Sequence, residues 1–384
     1  MTEVFRPTTL DQTVEAIQTA TADSTPLRLQ GLGTKTGLGR PMAEAVTLDM
    51  SALDSVVFYE PEELVLRVGP GARMSELTAM LTESNQMLAF EPPDFGALYG
   101  AGEAGTIGGA IAAGLSGPRR VFAGAARDFV LGVEGVSGRG EAFKSGGRVV
   151  KNVTGYDLSK LMTGSFGTLA ALTQITLKVL PKPETECTIS IAETDVTAAG
   201  ALMRAALKSP YEVSAAAYVP QDPRRALSRV VLRLEGAAAA LDHRRTGVIA
   251  SLSRPDSELL DAEASAELWA RVRDVAVYFE GEQKPLWKVV LPPTEMSEFL
   301  AATRYEAALV DWGGRAVWLT MGDSDLRPAP PSGAVYLIRA EAEDRTRFGA
   351  FPPRPRPLEA LSNRIKASFD PLGILNPGRM YEES

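Results

Sequence analysis

Between residues 100 and 117 the chain reads GAGEAGTIGGAIAAGLSG, in which seven residues are glycine and five are alanine. Flexible linkers are also rich in glycine, but they are usually polar and rich in serine. This stretch instead carries Ile107, Ile111 and Leu115 at a spacing of four residues, which predicts that part of it packs as a helix. Backbone without side chains lets another surface approach closely. The stretch therefore predicts contact between main chain and something large and flat.

Two neighbouring glycines in this stretch, Gly108 and Gly109, have two competing explanations. Without a Cβ atom, they would let a planar ring system or a pyrophosphate lie against the backbone. Tight packing of a helix on a sheet uses small residues for the same steric reason. The first six residues, GAGEAG, fit the G-x-G-x-x-G pattern but follow EPPDFGALY, which predicts a loop. A Rossmann site needs a buried strand at that place and is not expected.

A second glycine-rich segment, GLGTKTGLG at 31–39, follows the strand that PLRLQ predicts. Successive small residues can turn backbone N–H groups inward and bind phosphate. The segment is not a Walker A loop, because no Lys-Ser or Lys-Thr follows its last glycine at the required spacing. An ordinary glycine-rich turn is the alternative. Further on, RVVKNVTGYD places Lys151 beside Asn152 and Thr154, which are either solvated loop residues or ligand contacts.

The composition excludes several classes of function. The net charge is −8, and no run of Lys and Arg is interleaved with aromatic residues, so no nucleic-acid partner is expected. The single cysteine, Cys187, and the single histidine, His243, rule out an internal disulfide and a multi-histidine metal site, and no metal is expected. No stretch approaches the ~18 apolar residues of a membrane span. The N-terminus lacks a signal-peptide pattern, so we expect a cytoplasmic protein.

The 384 residues suggest two or three domains, and the character of the chain changes near Pro183. Before this point the chain is rich in glycine and includes MLAFEPP, which predicts a strand ended by proline. After it, strands and helices alternate to about residue 350. One predicted helix is amphipathic, with apolar positions Leu268, Val272, Val275 and Phe279.

Six motifs occur in an order that resembles the vanillyl-alcohol-oxidase type of FAD flavoprotein. They are the glycine loop, EPPDFG, GTIGGAIAAGLSGPRR, GAARDFVLGV, GYDLSKLMTGSFGTLAALTQITLKVLP and FDPLGILNPGRM. This resemblance covers residues 1–183 and 358–384. Segments such as SPYEVSAAAYVP, LWKVVLPPT and VDWGGRAVWL extend it, because they look like the FAD-binding E subunits of bacterial glycolate oxidases.

The resemblance implies an α+β fold with three parts. Residues 1–183 would form a PCMH-type FAD-binding domain of two α+β subdomains. Residues 184–350 would form an α+β cap domain with a mainly antiparallel sheet, and residues 351–384 would return to the FAD domain.

The resemblance also assigns FAD contacts by position. The pyrophosphate would be held by Gly31, Gly33, Thr34, Lys35, Thr36 and Gly37. The dinucleotide would be lined by Pro92, Pro93, Gly96, Gly105, Thr106, Ile107, Gly108 and Gly109, and the same wall would continue through Ala113, Gly114 and Asp128. The adenine or flavin side would be touched by Gly167, Thr168 and Ile175.

The chain departs from the family in its histidines and cysteines. Relatives that attach flavin covalently use one of these residues, and residues 1–183 contain neither, so we expect non-covalent FAD. Catalytic relatives carry a histidine-rich element similar to HxGDGNxH in the cap, and the corresponding segment LTMGDSDLRP has no histidine. Tyr218 stands where close relatives often have histidine. The catalytic base is therefore unknown.

The resulting hypothesis is an FAD-carrying accessory subunit of a glycolate oxidase complex, which oxidises glycolate, a 2-hydroxy acid. Its partners would be a sister flavoprotein subunit and an iron–sulfur subunit, with possible peripheral attachment to the inner membrane through the complex. Two alternatives stay open: a self-sufficient FAD-dependent dehydrogenase of the D-lactate type, and a non-enzymatic scaffold that has lost FAD.

Overall fold

A computed structural model of the chain describes residues 4–102, 104–148, 156–220, 227–279, 284–323 and 325–382. The chain divides into two compact units. The first unit contains Met1–Leu115, Ala125–Lys182 and Pro353–Ser384, and the second contains Ser116–Gly124 and Pro183–Pro352. The segment Ser116–Gly124, which the sequence assigned to the first domain, thus packs with the second unit.

The described part of the first unit combines helices of 4 to 14 residues with three sheets. Its helices are α1 Leu10–Ala22, α2 Met74–Glu83, α3 Ile107–Ala112, α5 Ala126–Phe129, α6 Leu158–Met162 and α12 Arg356–Phe369. Its strands are β1 Val4–Phe5, β2 Leu27–Gln30, β3 Val46–Asp49, β4 Val56–Glu60, β5 Val65–Val68, β6 Gln86–Met87, β7 Val130–Ser137, β8 Ala142–Gly146, β9 Ala170–Lys178 and β10 Leu180–Pro181. Helix α1 begins where the Thr9 hydroxyl accepts a hydrogen bond from the Gln12 N–H at 3.2 Å.

The sheets of the first unit have different strand directions. Strands β1-β3-β2 form a parallel sheet, β4-β5-β9-β7-β8 form an antiparallel sheet, and β10 pairs with β6 antiparallel. Ile17 of α1 and Leu48 of β3 are fully buried in a core that also contains Leu375 from the C-terminal segment. The C-terminal segment is therefore an integral part of this unit.

The second unit is built on one large antiparallel sheet. Its strands are β11 Thr185–Ala192, β12 Ala215–Val219, β13 Arg229–Gly236, β14 Glu258–Leu260, β15 Leu286–Val290, β16 Tyr305–Asp311, β17 Ala316–Met321 and β18 Ala334–Arg339. Its helices are α4 Arg120–Ala123, α7 Val196–Lys208, α8 Ala238–Leu252, α9 Ala262–Asp274, α10 Met296–Ala302 and α11 Ala342–Phe348. The order in the sheet is β14-β11-β13-β12-β16-β17-β15-β18. The predicted α+β class with a mainly antiparallel second sheet is confirmed.

The two faces of this sheet differ in chemistry. One face carries apolar side chains, among them Leu232, Trp287 and Leu319, and packs in a core with residues of α7, α8 and α10. The opposite face carries polar groups. There the Trp269 indole of α9 donates to the Thr188 hydroxyl at 2.9 Å, in a buried hydrogen bond.

The segment Ser116–Gly124 is fixed to the polar face by buried contacts. Arg119 forms an ion pair with Glu235 of β13, and both side chains are less than one-tenth exposed. The Trp312 indole donates to the Gly117 carbonyl at 2.9 Å. Because buried charges need partners, this ion pair fixes where the segment can lie.

Within the residues that the structure describes, two elements differ from the prediction, and five single-turn 3₁₀ helices were not predicted. Of MLAFEPP only Met87 lies in a strand, the two-residue strand Gln86–Met87. The helix predicted through Phe279 ends at Asp274 because Val275 adopts a φ of 53°. The 3₁₀ turns are Met50–Ala52, Pro61–Glu63, Ala97–Tyr99, Ala276–Phe279 and Trp312–Gly314. Within the described ranges, no helix is both long and apolar enough to cross a membrane.

Candidate functional site

The first unit contains a cleft with an empty volume of about 520 Å³. Its walls come from the end of β2, the start of α3, the turn before β9 and the C-terminal segment. The lining residues are Leu29, Gln30, Gly31, Met50, Pro70, Thr106, Gly108, Gly109, Ala112, Ser165, Phe166, Gly167, Ala170, Leu172 and Asn376. Segments distant in sequence thus meet around one space, and five of the predicted contact residues, Gly31, Thr106, Gly108, Gly109 and Gly167, are among them.

The two neighbouring glycines of α3 have different physical reasons for lacking a side chain. A Cβ atom on Gly108 would lie 2.6 Å from the Pro70 carbonyl oxygen, so packing within the protein requires glycine there. A Cβ atom on Gly109 would meet Thr106 Oγ1 at 3.5 Å and Lys35 Nζ at 3.9 Å, which are ordinary contacts. The protein itself leaves room for a side chain at Gly109. Packing within the protein therefore explains glycine at position 108 but not at position 109, where contact with a ligand stays a prediction.

A lysine from the glycine loop lies close to Gly109, one of the residues that line the cleft. Lys35 Nζ lies close to where a Cβ on Gly105 would stand, and its hydrogen bond among the described residues is a long one, 3.4 Å, to Thr34 Oγ1. Burial lowers the pKa of Lys35, and the negative charge of Asp94 opposes this shift. A partly buried ammonium with weak hydrogen bonding favours an anionic ligand, such as the pyrophosphate that the resemblance assigns to this loop.

Replacing Lys35 with methionine tests this assignment. We expect K35M to weaken FAD binding about tenfold to a hundredfold, which is the range for one charge-assisted hydrogen bond to an oxyanion. The free FAD concentration at half saturation, measured by fluorescence titration of the apo-protein, gives the result. The control is K182M, since Lys182 is an exposed lysine of the same unit. Equal affinity in both variants would place the phosphates elsewhere.

The glycine loop is held by an arginine of the C-terminal segment. Arg379 donates hydrogen bonds to the carbonyls of Lys35 at 3.0 Å, Thr36 at 3.2 Å and Arg40 at 3.3 Å. The Arg40 N–H donates back to the Arg379 carbonyl at 2.9 Å. A loop rich in glycine loses much entropy on ordering, so this side chain compensates for the flexibility of the loop.

Asn376 joins two walls of the cleft, and sequence reasoning missed it. Its side-chain oxygen accepts from the Leu29 N–H at 2.8 Å, and its amide donates to the Phe166 carbonyl at 2.7 Å. The Phe166 N–H in turn donates to the Ala112 carbonyl at the end of α3, at 2.8 Å. The NPGRM motif was part of the resemblance, but asparagine before proline and glycine also fits an ordinary turn. The sequence alone could not show whether Asn376 binds the walls of the cleft together or only forms a turn.

Other predicted residues do not line the cleft. Gly37 lies against the ring of Tyr99, while Pro92, Pro93 and Gly96 belong to the loop before the turn Ala97–Tyr99. This loop carries Asp94, whose charge acts on Lys35. Thr34, Lys35, Thr36 and Gly105 likewise do not line the cleft, although Lys35 Nζ would lie 3.9 Å from a Cβ added to Gly109. Gly33 lies in the same loop with a φ of 72°.

The remaining predicted residues have structural roles. Ala113 and Gly114 follow the last residue of α3. A Cβ atom on Gly114 would lie 3.3 Å from the Cα of Gly164. Asp128 accepts from the Ala125 N–H at 2.9 Å and caps α5. Three others are buried in the fold: Ile107 in α3, Ile175 in β9, and Thr168, whose hydroxyl donates to the Ser165 carbonyl at 2.7 Å. Lys151, Asn152 and Thr154 lie outside the described residues.

Three comparisons relate the chain to known proteins. A family model described as an FAD binding domain matches residues 2–146. The chain is 34% identical over 373 residues to glycolate oxidase subunit GlcE of Escherichia coli (strain K12), and the alignment covers 96% of this chain and 97% of that protein. It is 22% identical over 429 residues to glycolate oxidase subunit GlcD of Bacillus subtilis (strain 168), covering 98% and 88% respectively.

A solved structure resembles the whole chain. The crystal structure of p-cresol methylhydroxylase with substrate bound matches with a TM-score of 0.74 and 15% identity, covering 99% of this chain and 88% of that one. At this identity the likeness concerns the fold alone. The predicted PCMH-type fold is confirmed.

Proposed function

The chain belongs to the family of glycolate oxidase subunit GlcE, and on this premise we propose that it is the FAD-binding subunit of a complex that oxidises glycolate to glyoxylate. The chain is an FAD-dependent oxidoreductase of the 2-hydroxy-acid class by family. The single observation that supports its own cofactor site is Gly109, where the fold leaves space for a side chain and the sequence provides none. Lys35 adds a cation beside that space.

FAD fits the residues that are present. Its pyrophosphate would lie near Lys35 and the glycine loop, and a flat part of the molecule would lie against Gly109 and Gly167. When bound, FAD would accept the hydride that leaves the carbon of a 2-hydroxy acid, together with the electron pair that the hydride carries. Cys187 and His243 both belong to the second unit, so the first unit offers no thiol or imidazole for a covalent bond to the flavin. The binding is therefore non-covalent in this proposal.

The other subunits of the complex would provide the iron–sulfur clusters and most of the substrate oxidation. With one cysteine the chain cannot hold an iron–sulfur cluster, so a separate iron–sulfur subunit would carry electrons onward. A sister flavoprotein subunit, similar to GlcD, would carry out most of the substrate oxidation. Any attachment to the inner membrane would come through these partners.

The test of this proposal is reconstitution of the complex with one subunit omitted at a time. We expect the purified chain to be yellow, to release its flavin intact when denatured by acid, and to keep it oxidised when glycolate is added anaerobically. Adding the sister flavoprotein and the iron–sulfur subunit should permit electron flow from glycolate to an external acceptor. The readouts are flavin per chain and flavin absorbance.

Two results would replace the proposal with one of its alternatives. Rapid bleaching of the isolated chain by glycolate or D-lactate would identify a self-sufficient dehydrogenase. A colourless chain whose thermal unfolding does not shift with added FAD would identify a scaffold, because a ligand selective for the folded state must stabilise it.

A further inference from the structure

Helix α12, Arg356–Phe369, is attached to the first unit with little apolar burial. None of its fourteen residues is buried, and the side chains of Leu358 and Leu361 are about half exposed. An aromatic contact joins Phe369 to Phe143 of β8, with ring centres 6.0 Å apart. Helices are usually held in place by an apolar face packed on the core, and segments with few such contacts open easily. The polar contacts of α12 therefore provide much of its attachment.

Lys366, near the end of α12, makes three such polar contacts with one ammonium. Its Nζ atom donates hydrogen bonds to the Thr168 carbonyl at 2.7 Å, the Asp370 carboxylate at 2.8 Å and the Leu375 carbonyl at 3.0 Å. The side chain is largely buried. An ammonium has three N–H donors, so the protein itself uses all of them. Because hydrogen bonds from a charged donor are the stronger kind, Lys366 fixes these three points of the chain relative to one another.

Two of the three acceptors are next in sequence to residues that line the cleft. Thr168 follows Gly167, and Leu375 precedes Asn376. Gly167 and Asn376 both line the cleft, and a Cβ atom added to Gly167 would lie 2.8 Å from Asn376 Nδ2, so these two walls are in contact. Lys366 does not itself line the cleft. Its ammonium therefore joins two walls of the cleft without facing the space between them.

Asp370 extends this connection along the C-terminal segment. Its side chain is fully buried, and its carboxylate accepts hydrogen bonds from the N–H groups of Ile374 at 3.1 Å and Leu375 at 2.8 Å. The Ile374 carbonyl in turn accepts from the Leu27 N–H at 2.7 Å, at the start of β2. Loss of the Lys366 ammonium would leave a buried carboxylate without its counter-charge. The docked conformation of the C-terminal segment thus depends on this lysine.

We propose that Lys366 is a positioning residue for the cleft, and that it couples the docking of α12 to the binding of FAD. The cofactor would bind between walls that this ammonium holds together, so FAD favours the conformation in which α12 is docked. By linkage, docking of α12 must favour FAD binding by the same factor. This inference rests on the proposed function for the identity of the ligand in the cleft. It gives α12 a role in retaining the flavin, although none of the residues that line the cleft belongs to this helix.

Amide hydrogen exchange of the full-length wild type, with and without FAD, tests the coupling directly. The amides of α12 should exchange about fivefold to 150-fold more slowly when FAD is bound, which is the usual range for coupled sites. Helix α8 of the second unit, Ala238–Leu252, is the internal control and should exchange equally in both states. Equal exchange of α12 with and without FAD, in a chain that binds FAD, would overturn the inference.

Substitution of Lys366 separates a positioning role from a merely structural one. K366M should weaken FAD binding about tenfold to a hundredfold, at a temperature where circular dichroism shows that the variant is folded. It should also abolish the FAD-dependent protection of α12, which a general loss of stability would not do. R364M removes an exposed cation from the same helix and should match the wild type in both measurements. Wild-type FAD affinity in K366M, or wild-type protection of its α12, would refute the assignment.

Failure of this inference differs from failure of the proposed function. A wild-type chain that binds no FAD would overturn the proposed function and this inference with it. A chain that binds FAD without any change in the exchange of α12 would overturn this inference alone. Because the exchange experiment uses the wild type, it decides the question even if K366M does not fold.

Discussion

Gly109→Val is expected to reduce FAD affinity by at least about a hundredfold, or about 2.7 kcal/mol, while the apo-protein stays folded. The nearest atom to a Cβ at this position is Thr106 Oγ1 at 3.5 Å, so the protein can accept the new side chain. The added methyl groups would extend into the cleft and occupy the space assigned to the cofactor. Flavin per chain after purification and the FAD dependence of the thermal midpoint are the measurements.

Two neighbouring glycines provide matched controls for Gly109→Val. Gly102 is exposed and has no heavy atom within 4 Å of an added Cβ, so Gly102→Val should keep full FAD affinity. Gly108→Ala should instead lower the stability of the apo-protein, because its Cβ would collide with the backbone of Pro70. If Gly109→Val bound FAD as the wild type does, the cofactor could not lie against this part of α3.

Asn376→Leu is expected to lower the free energy of unfolding of the first unit by about 3–5 kcal/mol and to remove FAD. The change would leave the half-buried Leu29 N–H and Phe166 carbonyl without their hydrogen-bond partner. It would also place a branched side chain at a φ of 44°, a left-handed conformation that asparagine tolerates better than leucine. Scanning calorimetry and flavin content give the two results.

Asn376→Gly separates the two causes. Glycine accepts the left-handed conformation but makes neither hydrogen bond, so this variant should lose about 2 kcal/mol, less than Asn376→Leu. Equal losses in the two variants would mean that backbone strain contributes nothing. An Asn376→Leu protein with wild-type stability and FAD content would show that the C-terminal segment does not hold the cleft together.

The sequence indicated which segments would meet, but it did not indicate all the residues that join them. Gly31, Gly109 and Gly167 could be named because a missing side chain is visible in a sequence and the order of motifs resembles a known family. Asn376 could not, because its partners are more than two hundred residues away and its local pattern is that of a turn.

Local patterns also failed where tertiary packing decides the outcome. The apolar spacing continued through Phe279, yet the helix ends at Asp274 because Val275 turns the chain into a left-handed conformation. Ser116–Gly124 reads as a continuation of the glycine-rich stretch, but Arg119 finds its buried carboxylate on β13, so the segment belongs with the second unit. Neither the end of this helix nor the pairing of Arg119 with Glu235 can be predicted from the residues next to them in the sequence.

Because Ser116–Gly124 belongs to the second unit, it limits how chimeras of this protein and its relatives can be designed. Consider a chimera in which a relative receives only the residues of this chain after Pro183. Glu235 of this chain would then face whatever residue the relative has in place of Arg119. Removing one partner of a buried ion pair lowers the free energy of unfolding by about 3–5 kcal/mol. A chimera that contains the whole second unit therefore needs two further crossovers, one on each side of Ser116–Gly124, so that these nine residues come from the same protein as the sheet they bind.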